Sequence, residues 1–291
     1  MATSNHEGDR IWTVERTNEN VLTVRVKYRE NDEFWVLLMA DVHWDNPHCD
    51  RQMHQAHLQQ AKQRDAAIFS IGDFFCAMQG KYDKRADKST LRPEHQTANY
   101  LDALVDTAGD YLRPYMGQIA MLADGNHETA IAANHETNLT QRLAANLGVV
   151  PMGYSGFVRF MFEHVAGGSR KSHVMYFHHG SGGGGAVTKG VITTARRAVY
   201  LPDPTIVVSG HIHEEWMLTI PRARLTASGE MYQDEQVHIQ LPTYKQEFLP
   251  AGGWHVQTGK PTKPLGGAWL RFYPTRHKAG HAIEFEVMRA K

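Results

Sequence analysis

Short apolar runs punctuate this chain, and most of them stop abruptly on a polar residue. VLTVRVKY (21–28) alternates apolar and polar positions, the period-two signature of a half-buried strand. FWVLLMA (34–40) is continuously apolar, as in a strand covered on both faces. AAIFSIG (66–72) and QIAMLA (118–123) repeat that pattern, and VRFMF (158–162), HVMYF (173–177) and TIVVSG (205–210) predict further strands. Between them, residues 50–65 are rich in helix formers, with Met53, His57, Leu58 and Ala61 as an inner stripe. Residues 94–113 set Leu101, Leu104, Val105 and Leu112 at helical spacing, and a third helical stretch is predicted near 129–147. Past residue 214 the text is strand-rich: EWMLTI, EQVHIQL, GAWLRFY and AIEFEVM.

Strand–helix alternation in the first half and clustered strands in the second predict a layered α/β protein. A single domain over 1–291 is expected. It would have a polar lead-in over 1–20, an insertion at about 74–117 and a strand-rich part over 214–291. No repeat of solenoid length and no low-complexity linker divides the chain.

Composition excludes several classes. With 42% apolar and 21% charged residues the chain reads as globular. Its 31 basic side chains balance 31 acidic ones, so any contact with nucleic acid needs a local basic patch rather than a global field. The two cysteines, Cys49 and Cys76, exclude a disulfide scaffold or a cysteine-rich zinc site and fit a reducing compartment. The N-terminal MATSNHEGDR lacks an apolar signal core, and FWVLLMA is too short to span a bilayer. The expected location is cytoplasmic, with no membrane partner. The 18 histidines call for inspection, because imidazole ligates metals and carries protons near neutral pH.

The candidate chemistry lies where the apolar runs stop. FWVLLMA leads into Asp41-Val42-His43, AAIFSIG into Asp73, and QIAMLA into Asp124-Gly125-Asn126-His127-Glu128. HVMYF leads into His178-His179-Gly180, and TIVVSG into His211-Ile212-His213. The carboxyl ends of strands are where sites form in open α/β sheets. Asp-x-His and His-x-His put the two side chains of each pair on the same side of one extended segment, because strand side chains alternate with period two. Carboxylate, amide and imidazole together suit Mn²⁺, Fe²⁺ or Zn²⁺. About seven such groups are too many for one ion but suit two ions sharing a bridging carboxylate, a clamp for displacement at phosphorus.

Asp41-x-His43, Gly72-Asp73, Gly125-Asn126-His127-Glu128, His179-Gly180 and Gly210-His211-x-His213 occur in the order seen in calcineurin-like metallophosphoesterases. The chain resembles that family over roughly residues 34–213, and its loop FFCAMQGKYDKR and glycine run are similar to phage- and prophage-borne members. The resemblance implies a four-layer α-β-β-α sandwich of two mixed β-sheets flanked by helices. It implies that Asp41, His43, Asp73 and His213 hold one divalent ion, and that Asp73, Asn126, His179 and His211 hold a second, with Asp73 bridging. Mn²⁺ leads as the expected metal, with Fe²⁺, Zn²⁺ or Ni²⁺ as alternatives. A hydroxide bridging the two ions would attack phosphorus, and His127 would serve the leaving group.

Within VMYFHHGSGGGGAVTKG (174–190), the resemblance selects His179, the histidine before glycine, and alternation then turns His178 away. The stretch is not a nucleotide-binding P-loop, since Lys189 follows Thr188 and precedes Gly190. The NHET at 126–129 is expected to project from a turn at the sheet rim, and the second NHET (134–137) to lie on a solvated helix face. Where many family members carry a second aspartate, this chain has Cys76, so either another group orients His127, with Asp124 a candidate, or acid catalysis is weakened. The basic run 81–92, above all Lys81 and Arg85, is a candidate phosphate-binding overhang. Lys189, Arg196 and Arg197 form a second candidate patch, and Trp44, His48 and His178 are candidate pocket residues.

The leading expectation is a metal-dependent phosphoesterase acting on phosphodiesters of nucleotides or nucleic acid. The alternatives are a phosphomonoesterase or protein phosphatase, and a non-catalytic scaffold of the same fold. The absence of an arginine after His127, where Glu128 stands, counts against a protein phosphatase.

Overall fold

The computed structural model describes residues 10–79, 86, 91–168, 170–246, 248, 256, 258–277 and 280–291. The continuous apolar runs form the central strands. β1 (Trp12–Asn18) and β2 (Val21–Tyr28) make a hairpin, followed by β3 (Phe34–Met39), α1 (Arg51–Gln63) and β4 (Ala67–Ile71). Then come α2 (Tyr100–Leu112), β5 (Ile119–Ala123), α3 (Asn126–His135), α4 (Leu139–Leu147), β6 (Pro151–Met152), β7 (Ser155–His164) and β8 (Lys171–His178). The chain continues through α5 (Val191–Ala195), β9 (Ile206–Ser209), β10 (Trp216–Leu225), β11 (Met231–Gln240), β12 (Ala268–His277) and β13 (Gly280–Arg289).

Two mixed sheets result. One has six strands in the order β13-β12-β3-β4-β5-β6, and the other has seven in the order β1-β2-β7-β8-β9-β11-β10. They pack face to face through alternate side chains: Val36, Leu38, Phe69 and Met121 from the first meet Phe160, Phe162, Phe177, Val208 and Ile239 from the second. Phe272 lies at the centre of this layer, with ring centroids 4.9 Å from Phe160 and 5.1 Å from Phe162. Each such ring contributes about 1.5–3 kcal/mol by leaving water. The opposite face of the six-stranded sheet, through Leu37, Met39, Ile68 and Leu122, is covered by Leu58 and Ala61 of α1, Leu104 and Ala108 of α2 and Leu143 of α4. Strands buried on both faces explain the unbroken apolar runs. On the outer face of the seven-stranded sheet, among the described residues, lie α5 and the turn that follows it, from which Arg197 reaches Ser209.

Two expectations need correction. The lead-in is partly structured, since β1 pairs with β2 from Trp12 to Asn18 and Trp12 is buried beneath β3. The stretch near 129–147 is two helices, not one. Glu136 adopts a left-handed conformation (φ 54°) that ends α3, and the Asn138 side chain caps α4 by accepting from Gln141 N. The second NHET is therefore a helix terminus rather than a helix face.

Strand direction puts the polar termini together. β3, β4 and β5 run parallel, as do β8, β9 and β11, so their carboxyl ends face one rim. Hydrogen bonds join the strand-end loops there: Asp41 N to Gly72 O (3.1 Å), Gly210 N to His179 O (2.8 Å), and Tyr244 N to Asp41 O (3.1 Å) across the two sheets.

Candidate metal centre

At this rim Asp41, His43 and His213 form one cluster, and Asp73, His179 and His211 form another. Within each, the ligand-type atoms lie within 4.8 Å of one another. His213 Nε2 is 3.3 Å from Asp41 Oδ1 and 3.2 Å from His43 Nε2. His179 Nε2 is 3.2 Å from Asp73 Oδ2 and 3.1 Å from Asn126 Oδ1, and Asn126 Oδ1 is also 2.7 Å from His211 Nδ1.

The backbone that aims these groups is not extended. Asp41 (φ 52°), His43 (φ 48°), Asp73 (φ 51°), His211 (φ 73°) and His213 (φ 54°) are all left-handed. Period-two alternation is therefore not what brings Asp41 beside His43 or His211 near His213. Each strand ends, and left-handed residues turn the side chains inward. Non-glycine residues adopt this region at a cost of about 1–3 kcal/mol, tolerated where packing over-determines it. Glycine does related work between the strand ends. A Cβ on Gly125 would collide with the Asp73 carboxylate, and one on Gly72, itself at φ 81°, would collide with the His179 ring.

Hydrogen bonds select the ring nitrogen that each histidine presents. His179 Nδ1 donates to Ile71 O at 2.9 Å and leaves Nε2 toward Asp73. His211 Nε2 donates to Gly182 O at 2.9 Å and leaves Nδ1 toward Asn126. Thus one carbonyl of the glycine run orients a candidate ligand. His178 faces elsewhere: its Nδ1 accepts from Gly180 N at 2.9 Å and lies 3.3 Å from Arg197 Nη2. Burial and the Arg197 charge push the His178 ring down to about 4.

The electrostatics suit a cation. Burial, then the neighbouring charges of His127 and Lys245, lower the His43 pKa well below the ordinary range, so its ring is a neutral donor. Burial likewise lowers His211. Burial opposes ionisation of Asp73, but the His179 and His127 rings beside it outweigh that and hold its carboxyl below the usual range. The buried Asp41 Oδ1 has no hydrogen-bond donor among the described residues, and it faces two imidazoles whose own Nε2 atoms converge. Lone pairs gathered around a common point are the arrangement a divalent ion satisfies, and carboxylate, amide and imidazole are the right donors for one.

His127 stands beside both clusters, its ring centroid 5.0 Å from that of His43 and its Nε2 3.7 Å from Asp73 Oδ2. Its backbone N–H, in the first turn of α3, donates to Asp73 Oδ1 at 3.0 Å. The first NHET thus starts a helix instead of projecting from a turn. Asp124 does not orient His127; its carboxylate accepts from Asn138 Nδ2 at 3.2 Å. The partner of His127 Nδ1 is the backbone carbonyl of Cys76, at 2.5 Å. The Cys76 thiol accepts from Asn46 Nδ2 at 3.4 Å, and burial pushes its pKa up to about 12.

The remaining candidates separate. Trp44 is 2% exposed, stacked on Phe74 with Arg51 over its face at 3.9 Å, so it packs the helix-side core instead of lining a pocket. Arg197 is buried against Ser209 and does not join a surface patch. Arg92 donates to Asn46 O at 3.0 Å and Cys49 O at 3.1 Å, bracing the loop after Asp41. Lys81 and Arg85 lie outside the described residues.

Two acids to which sequence reasoning gave no role in the site organise it. Glu128, fully buried, accepts from Asp73 N (3.1 Å), Gly125 N (2.8 Å) and Phe75 N (2.9 Å). Asp45 accepts from Cys76 N (2.5 Å) and Ala77 N (2.9 Å). Glu128 carried a readable signal, an acid in the first turn of a helix. Asp45 carried none, because its partners, two backbone N–H groups and the Tyr100 hydroxyl, lie 31 to 55 residues away.

No family model matches this chain, and no curated protein matches it. Among solved structures it is similar to Vps29 from Cryptosporidium parvum, at 11% identity over 88% of this chain and 98% of that one, TM-score 0.39. A single-mutant Vps29 from Entamoeba histolytica is similar at 10% identity over 88% and 99%, TM-score 0.37. GAP50, described as the anchor in the inner membrane complex of Plasmodium, is similar at 11% identity over 89% of each chain, TM-score 0.42. Likenesses this distant carry no argument about what this chain does; strand order and side-chain distances have to carry it. Among the described residues no helix is long and apolar enough to cross a membrane.

Proposed function

We propose that this protein is a binuclear metal-dependent phosphoesterase whose substrates are phosphodiesters of nucleotides or nucleic acid. The observation that carries the reading is the pair of adjoining clusters, Asp41/His43/His213 and Asp73/His179/His211, with His127 beside both. Asp41, His43, Asp73 and His213 would hold one divalent ion, and Asp73, Asn126, His179 and His211 the other. Mn²⁺ is the first candidate for both. When bound, such a pair polarises phosphoryl oxygens and makes water acidic enough to act near neutral pH.

The chain's own groups do the rest. The bond from His127 Nδ1 to Cys76 O leaves Nε2 as the atom that meets the departing oxygen and passes it a proton. His127 and His213 side chains keep 10% and 17% of their surface open, against 0% for His179 and Asp41, so substrate approaches from their side. The diester preference rests on the basic run 81–92 in the sequence.

The test is turnover of bis-p-nitrophenyl phosphate, p-nitrophenyl phosphate and single-stranded DNA with Mn²⁺, beside Asp73→Ala and His127→Ala. The expected result is metal-dependent cleavage, lost in Asp73→Ala on every substrate and, in His127→Ala, reduced roughly 10²- to 10⁴-fold on DNA, whose poor leaving group needs the proton, and far less on the nitrophenyl esters. No metal-dependent turnover on any of the three overturns the proposal.

A further inference from the structure

His127 owes its orientation to a carbonyl, and a carbonyl is only as well placed as its peptide. The Cys76–Ala77 peptide lies in the loop after β4, where Ala77 is itself left-handed at φ 45°. The carboxylate of Asp45 grips that loop from the other side. Oδ1 accepts from Cys76 N at 2.5 Å and Oδ2 from Ala77 N at 2.9 Å, so two consecutive N–H groups converge on one side chain. Tyr100 of α2 donates its hydroxyl to Oδ2 at 3.2 Å and anchors the carboxylate in turn. Asp45 is 3% exposed, and its partners satisfy both oxygens.

We propose that Asp45 is the positioning residue for His127, acting through the backbone: it holds the Cys76 carbonyl that fixes the Nδ1–H tautomer of the histidine and aims Nε2 at the leaving group. A carboxylate thus directs the histidine at one remove, in a chain that has a thiol at position 76. This inference rests on the proton-donor role given to His127 above. In that step His127 acts from its imidazolium form, with Nδ1–H kept on the Cys76 carbonyl: Nε2 gives its proton to the leaving oxygen as the bond from that oxygen to phosphorus breaks. Water supplies the oxygen that replaces it, and the proton water releases recharges the imidazole.

Two measurements on the whole chain test it, the first with Mn²⁺ bound and the second without. The first is kcat and KM for aryl phosphodiesters graded from nitrophenyl to phenyl leaving groups, in the wild type, Asp45→Asn, Tyr100→Phe and His127→Ala. A poor leaving group needs the proton and a good one does not. Asp45→Asn should lose roughly 10- to 100-fold in kcat on the phenyl ester, with little change in KM and little loss on the nitrophenyl ester. Tyr100→Phe should shift the same way by less. A loss that is uniform across the series, or absent, overturns the inference. If Asp45→Asn is recovered unfolded, the leaving-group dependence of Tyr100→Phe decides by the same criterion.

The second measurement is the ¹⁵N spectrum of the histidine rings without added metal, with His127 assigned by its loss in His127→Ala. The wild type should hold the Nδ1–H tautomer, and Asp45→Asn should populate Nε2–H. An unchanged tautomer ratio in Asp45→Asn overturns the inference even if the protein cleaves esters. An inactive wild type with the expected tautomer change overturns the phosphoesterase reading while leaving the Asp45–His127 linkage standing.

Discussion

The buried carboxylate of Glu128 accepts the backbone N–H of Asp73 at 3.1 Å, across a sequence separation of 55 residues. The same carboxylate accepts from Gly125 N and Phe75 N, so it ties the loop after β4 to the start of α3. Glu128→Ala should strand three donors in a buried place and cost about 2–4 kcal/mol of stability. The shift of the urea midpoint in metal-free protein measures this, and an unchanged midpoint would remove the clamp.

Gly125 has an ordinary negative φ of −114°, so only space forbids a side chain there. An added Cβ would overlap the Asp73 carboxylate. Gly125→Ala should therefore displace Asp73 and lower Mn²⁺ affinity at least about tenfold, the scale on which disturbed support of a ligand weakens a metal site. Calorimetric titration checks it; wild-type affinity would show that the loop yields freely.

The adjacent histidines should behave oppositely. His179→Ala should bind one ion fewer by elemental analysis, whereas His178→Ala should keep the wild-type stoichiometry, because its ring lies against Gly180 N and Arg197. Burial disfavours a charged His179, but the Asp73 carboxylate overcomes it and raises the ring to about 10. The metal-free ring therefore holds its proton more tightly than a free imidazole, and an entering ion must displace that proton. Metal affinity should rise with pH through and above neutrality. Titrations in buffers of different ionisation enthalpy should register the released proton.

His54 supplies a pH effect away from the metal centre. Its ring stacks on Tyr111, its Nδ1 lies 2.9 Å from the Tyr111 hydroxyl, and burial, then the His57 and Arg51 charges, lower it from 6.5 to about 3. The folded pKa lies below the unfolded one, so between these values the unfolded chain binds the extra proton. The stability tied to a neutral His54 is present above pH 6.5 and is lost as pH falls toward 3. The slope is about 1.4 kcal/mol per pH unit for one proton. Denaturation curves of the wild type and His54→Gln from pH 7 to 4 should differ by that slope, and parallel pH profiles would exclude the assignment.

Much of the architecture is legible in the apolar runs of the chain. FWVLLMA, AAIFSIG and QIAMLA read as buried strands because a strand covered on both faces is almost wholly apolar, and they are β3, β4 and β5. The break at Glu136 was not legible, because a left-handed glutamate carries no compositional mark of the kind glycine does. Trp44 read as a pocket residue from its nearness in sequence to His43, yet its ring turns into the helix-side core.

The sequence by itself determined which residue types stand at the strand ends, and hence the carboxylate, amide and imidazole chemistry available there. Covalent order and hydrophobic burial suffice for that. Tertiary structure alone decided how those groups face one another: left-handed turns in place of extended alternation, and the Cys76 carbonyl in place of Asp124 as the partner of His127. These are matters of hydrogen bonds between segments remote in the chain, made by backbone groups that every residue carries, and no local pattern of side chains records them.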